Sequence, residues 1–192
     1  MVLSAADRFG DAEGVVDGPL RLTFTEVVER IRCAAGAFAE LGIEKGDRVA
    51  IWAPNSAEWI VAAFGLLTAG GLLVPVNTRF KADEAADIIG RSGAKAVLVQ
   101  KGFLGQDYAA PAGTLVIDLK SDFLSSGSPF TRTVDGTDIS DIIFTSGTTG
   151  RPKGARMNHR QTLRMYEEWA TLADLREGDR YLMINRTSTP SA

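Results

Sequence analysis

Asp141-Ile-Ile-Phe-Thr-Ser-Gly-Thr-Thr-Gly-Arg-Pro-Lys-Gly154 is the stretch on which the fold turns. Its first part, Asp141-Ile-Ile-Phe-Thr145, reads as a strand, and the composition then changes abruptly. From Thr145 to Gly154, seven of ten residues are Gly, Ser or Thr. Gly147, Gly150 and Gly154 permit backbone angles closed to other residues and let the main chain approach a ligand closely. Thr145, Ser146, Thr148 and Thr149 offer hydroxyls among the backbone N–H groups, and Lys153 adds a mobile positive charge. Such a set suits a polyphosphate. It leaves the end of a strand, where open α/β sheets bind their ligands. A polar surface loop is the plain alternative for any segment rich in Gly and Thr. The segment is neither a Walker A loop, which needs Gly-Lys-Ser/Thr, nor the G-x-G-x-x-G of dinucleotide binders.

Outward from this segment, helix and strand signals alternate. Thr23-Phe-Thr-Glu26 is a capping box, and Phe24, Val27, Val28, Ile31, Ala34, Ala35, Phe38 and Leu41 form one apolar face that stops at Gly42. A strand follows over Arg48–Ala53. Trp59–Val76 then runs eighteen residues without a charge, close to the minimum for a membrane span. Capping-box spacing at Asn55-Ser-Ala-Glu58, the Gly70-Gly71 stop and Pro75 divide it instead into a helix and a buried strand, Leu72–Val76. No transmembrane segment is therefore expected. A short helix is expected over Lys81–Gly90, strands over Lys95–Val99 and Thr114–Asp118, and an exposed connection over Ser121–Thr137. Downstream, Ala155–Asn158 extends, His159–Ala173 is helical and Arg180–Ile184 is a last strand. The pattern predicts an α/β fold, a mainly parallel sheet covered by helices on both faces.

With 192 residues, 45% apolar and 23% charged, the composition is that of a globular α/β protein. A net charge of −3 without a basic stripe argues against nucleic acid as a partner. The N-terminus lacks the basic start and apolar core of a signal peptide, so the cytoplasm is the expected compartment. Cys33 is the only cysteine and reads as a small buried hydrophobe rather than a reactive thiol. His159, the only histidine, reads as packing or helix-start structure rather than a general base. Trp52, Trp59 and Trp169 read as core rather than a stacking platform. No side chain is assigned as catalytic or as a metal ligand.

The stretch Asp141–Gly154 resembles the phosphate-loop signature of the adenylate-forming superfamily, whose members include acyl-CoA synthetases, peptide-synthetase adenylation domains and firefly-type luciferases. Leu41–Ile51, Ala69–Arg79 and Ser92–Ala96 are similar to the N-terminal blocks of that family, so the likeness covers the chain to about Asn185. With Asp179–Asn185, the wording is most similar to bacterial ligases joining a fatty acid or related carboxylate to CoA. The resemblance implies that a carboxylate attacks the α-phosphate of ATP, giving an acyl-adenylate and pyrophosphate, and that the coenzyme A thiol then displaces AMP. It implies that Thr145, Ser146, Gly147, Thr148, Thr149, Gly150 and Lys153 hold the β and γ phosphates, and that Mg²⁺ accompanies the ATP.

Residues 1–185 then correspond to the N-terminal portion of the large AMP-binding domain. The family's adenine-contacting block, ribose-binding Asp and mobile C-terminal domain with its catalytic lysine have no counterpart in the sequence. The expectation is a ligase portion inactive by itself; the alternatives are a binding module that retains nucleotide or phosphate affinity or pairs with a separately encoded remainder, and a non-functional product of a broken gene. A peptide-synthetase adenylation domain is the rival reading within the family. Residues 186–192, Arg-Thr-Ser-Thr-Pro-Ser-Ala, depart from the family's N-P-Y-F-H-T-F-G. With suitable synonymous codons for that pattern, deleting one C from the proline codon gives this tail at every position, a compatibility from which it is expected to be out of frame.

Overall fold

The computed structural model describes residues 2–105, 108, 110–145 and 151–183. Among them, β3 (Arg48–Trp52), β4 (Leu72–Pro75), β5 (Ala96–Val99), β6 (Leu115–Asp118), β7 (Ile139–Thr145) and β8 (Lys153–Asn158) form one sheet in the order β6-β5-β3-β4-β7-β8. Every pairing in it is parallel except β7 with β8. The mainly parallel α/β fold expected from the sequence is the one observed.

Topology places the helices. From β3 the chain steps through α3 (Ala57–Thr68) to β4, then returns across β3 through α4 (Ala82–Ser92) to β5. Right-handed crossovers in opposite directions put α3 and α4 on opposite faces. The core divides accordingly. Val49, Ile51, Ala96 and Leu98 pack under α3 and α2 (Phe24–Glu40), whereas Ala50, Trp52, Val97 and Val99 pack with Ala85, Ile88 and Ile89 of α4. Alternate residues of each strand thus serve opposite faces, and both faces are dry, which is why these strands read as unbroken apolar runs.

Local chemistry sets the helix ends. Thr23 Oγ1 accepts from the Glu26 N–H at 3.1 Å, and Glu26 Oε2 accepts from the Thr23 N–H at 2.8 Å. Gly42, at φ 84°, follows the last turn of α2, leaving Leu41 at the exposed end of the apolar face. The cap of α3 lies one residue later than the spacing suggests: Ser56, not Asn55, accepts from the Trp59 N–H at 3.2 Å. Asp17 Oδ2 reinforces that end by accepting from the Ala57 N–H at 2.9 Å. It belongs to a small hairpin, β1 (Glu13–Asp17) with β2 (Leu20–Thr23), preceded by α1 (Ser4–Phe9). Helix α3 has 12 residues, and among the described residues no helix is long and apolar enough to cross a membrane. Helix α4 runs to Ser92, slightly beyond its expected end, and stops at Gly93 with φ 66°.

Two expectations are corrected. The stretch 121–137 is not simply an exposed connection. It contains α5 (Phe123–Ser126), buries Leu124, and lays the Ser128 main chain so close to Gly36 of α2 that a Cβ there would collide with the Ser128 carbonyl. Backbone bonds fix it there, with the Phe130 N–H donating to Arg32 O at 3.1 Å and the Arg132 N–H to Thr68 O at 3.0 Å. The second correction concerns Arg180–Met183, which is not a strand: these residues are irregular and exposed, with no strand beside them among the described residues to complete a ladder. The remainder of the expected strand, Ile184, lies outside the described residues, as does the tail 186–192.

Candidate functional site

The segment singled out in the sequence joins β7 to β8, whose antiparallel register sets Thr145 opposite Lys153. Both are exposed, at the carboxyl end of β7 where the parallel sheet opens. Of the expected phosphate-binding residues, the structure brings these two together. Ser146, Gly147, Thr148, Thr149 and Gly150 lie outside the described residues. Gly154 has a clear packing role. A Cβ on it would stand 3.2 Å from Phe144 Cζ and 3.0 Å from Ile142 Cγ2, so its missing side chain admits the neighbouring strand rather than a ligand.

Helix α4 braces both arms of this hairpin. Asp87 accepts from Arg151 at 3.2 Å through Oδ1 and from Arg91 at 3.0 Å through Oδ2. The Arg91 guanidinium in turn lies 5.4 Å from the centre of the Phe144 ring. Residues just before and just after the Gly/Ser/Thr run are therefore tied to one carboxylate.

The opposite face of β7 carries a second anchor. Asp141 is buried, and its Oδ2 accepts from Ser140 Oγ at 2.6 Å and Thr162 Oγ1 at 3.1 Å. Its Oδ1 has no hydrogen-bond partner among the described residues. Thr162 lies on α6 (His159–Leu172), so Asp141 links the strand leading into the loop to the helix leaving it. Neither Asp87 nor Asp141 is singled out by sequence reading, although a carboxylate opening an otherwise apolar strand was a visible signal for Asp141.

His159 opens α6 behind a capping box in which the Asn158 and Gln161 side chains and backbones bond reciprocally, at 2.8 and 3.0 Å. Its own N–H donates to Asp138 O at 3.0 Å. Partial burial holds the imidazole pKa below its ordinary value, outweighing the upward pull of Asp138 and Asp141. Helix-start structure is thus the role its surroundings give it. Trp52 and Trp59 belong to the core, but Trp169 does not. It is an exposed residue of α6, and Tyr181 meets it edge to face at 5.0 Å. Cys33 is only partly covered, short of the full burial expected.

The profile described as AMP-binding enzyme matches residues 3–188. A methyl-dioxo-octahydroindenyl-propanoyl:CoA ligase of Rhodococcus jostii (strain RHA1) is 38% identical, over 94% of this chain and 41% of its own. The long-chain-fatty-acid–CoA ligase FadD13 of Mycobacterium tuberculosis (strain CDC 1551 / Oshkosh) is 34% identical, over 85% of this chain and 35% of its own. Among solved structures, the nonribosomal peptide synthetase FmoA3 superposes with a TM-score of 0.86 at 27% identity, covering 98% of this chain and 20% of that one. The o-succinylbenzoate CoA synthetase of Bacillus subtilis, holding an acyl-adenylate, superposes at 0.82 over 96% of this chain and 49% of its own, and at 23% identity shows the fold alone. The chain spans about two-fifths of the length of the curated relatives it matches.

Proposed function

The chain belongs to the AMP-binding enzyme family, and from that membership we propose that it is the N-terminal portion of an ATP-dependent acyl-CoA ligase. The complete reaction joins a carboxylate to ATP with loss of pyrophosphate, then passes the acyl group from AMP to coenzyme A. In this reading Thr145, Ser146, Gly147, Thr148, Thr149, Gly150 and Lys153 bind the β and γ phosphates. The observation that carries it is the register of Thr145 opposite Lys153, which pairs a threonine and a lysine across the hairpin at the carboxyl edge of the sheet. Donors fixed there offset negative charge as pyrophosphate leaves. Mg²⁺ enters with the nucleotide, since phosphate oxygens are hard ligands suited to it. No residue of this chain is assigned to the chemical step, and the chain alone is inactive because the groups that position the carboxylate belong to the remainder.

The substrate proposed is a fatty or related apolar carboxylate, in keeping with the acyl groups named for the two ligases above. The compartment proposed is the cytoplasm. Residues 1–185 form the AMP-binding portion and 186–192 an out-of-frame tail, which sequencing the gene tests.

The experiment is a hybrid protein in which residues 1–185 are followed by the polypeptide that comes after the matched region of the Rhodococcus jostii ligase. It is expected to release pyrophosphate from MgATP only when a carboxylate is present, and to form a CoA thioester. Carboxylate-independent ATP cleavage, or none, contradicts the proposal. The likeness to FmoA3 favours one rival, a peptide-synthetase-type adenylation portion. Transfer of the acyl group to a carrier-protein thiol but not to CoA would establish that reading instead.

A further inference from the structure

A cavity of about 380 Å³ opens at the amino edge of the parallel strands, the end opposite the Thr145–Lys153 pair. Gly46 and Gly70, just ahead of β3 and β4, line it together with Ser92 at the end of α4. Lys45, Arg48 and Arg156 bring three cations to it, against a single carboxylate, Asp138. That carboxylate is already taken, since Lys45 Nζ lies 2.7 Å from Asp138 Oδ2. Asp47, next to Arg48 in sequence, is taken as well, by Lys95 at 2.6 Å. Neither arginine has an ion pair among the described residues.

The two arginines differ in a useful way. Arg48 is pinned: its Nε and Nη2 donate to the Ser92 and Gly93 carbonyls at 3.1 Å each, and Nη1 to Gly46 O at 3.4 Å. These bonds cap the carboxyl end of α4 and offset part of the charge. A guanidinium carries five N–H groups, so two remain to donate. Arg156, opposite Ile142 in the β7–β8 register, is exposed and has neither a hydrogen bond nor an ion pair among the described residues. Leu72, Ile139 and Ile142 add apolar lining.

We propose that this cavity binds a small organic phosphate, its phosphate group taken by Arg156 and the spare N–H groups of Arg48, its apolar body set against Leu72, Ile139 and Ile142. Guanidinium forks match phosphate oxygens, and a dianion gains more from two of them than a singly charged carboxylate does. The volume suits a ligand of that size. The site is separate from the hairpin. Lys153 precedes Arg156 by three residues of β8, about 10 Å of strand, and points to the other side of the sheet because successive side chains alternate. The proposal stands apart from the ligase reading, because its test needs only the full chain.

That test is calorimetric titration of the full chain with phenyl phosphate, with inorganic phosphate and benzoate as comparators. Arg156→Gln removes the free cation without breaking a contact, so circular dichroism should stay as in the wild type. Phenyl phosphate binding is expected to weaken at least about tenfold in Arg156→Gln and to change less than about twofold in Lys153→Ala. Inorganic phosphate, which lacks the apolar body, and benzoate, which lacks the second charge, should each bind at least about threefold more weakly. No binding, binding insensitive to Arg156→Gln, or binding lost in Lys153→Ala instead would overturn the proposal. So would benzoate bound as tightly as phenyl phosphate, which would make the cavity a carboxylate site.

Discussion

Arg151, just beyond the Gly/Ser/Thr run, places Nη2 3.2 Å from Oδ1 of Asp87 on α4, so the carboxylate draws a cation from the root of the candidate phosphate loop. The pair is exposed on the arginine side, and such pairs contribute about 0–1 kcal/mol. A polyphosphate, with several negative charges, competes easily for the same guanidinium. Asp87→Asn is therefore expected to lower the KM for MgATP about twofold to fivefold in the hybrid ligase, with less than about 1 kcal/mol lost in stability. The effect should vanish in an Arg151→Ala background. An unchanged or raised KM would show that Asp87 does not compete for Arg151.

The approach of Ser128 to Gly36 makes a second prediction. Gly36→Ala would normally favour a helix, but here the added methyl meets the Ser128 carbonyl. A loss of about 1–3 kcal/mol is expected, read by urea denaturation of the full chain. A stabilising outcome would mean that the 121–137 segment does not rest on α2.

His159 gives a pH dependence. Burial holds its folded pKa below the unfolded value of about 6.5, so the unfolded chain binds more protons in that range. Stability is then expected to fall as pH drops through about 6.5, by the linkage between proton binding and folding. Asp138 and Asp141 pull the pKa up and Lys45 pushes it down, but burial is the largest influence. His159→Gln should flatten the slope between about pH 7 and pH 5.5, measured as urea midpoints. A wild-type midpoint that rises on acidification in that range would reverse the sign and refute the assignment.

Much of this architecture is legible in the sequence because its signals are local. The Thr23–Glu26 capping box, the apolar period of α2 and the unbroken runs of β3 and β5 each reflect a few adjacent residues and one packing surface. What escapes are relationships between distant residues. Nothing near Gly36 announces that Ser128 will cross it, and nothing near Asp87 announces Arg151. Arg180–Met183 misleads for a similar reason, since an apolar, strand-like run becomes a strand only where a neighbour supplies the ladder. Trp169 reads as core because its helix has an apolar face, but the described residues leave that face exposed. At the candidate site, the residue types were readable from Thr145 to Lys153, but the braces from Asp87 and Asp141 required the fold.

The most direct measurement is ATP–pyrophosphate exchange by the hybrid ligase, with Lys153→Ala beside the unaltered sequence. If Lys153 and its loop hold the departing pyrophosphate, exchange should depend on added carboxylate and fall at least about tenfold in the variant, with the fold unchanged by circular dichroism. Carboxylate-dependent exchange that is equally fast with Lys153→Ala would contradict the assignment of the phosphate site to this hairpin.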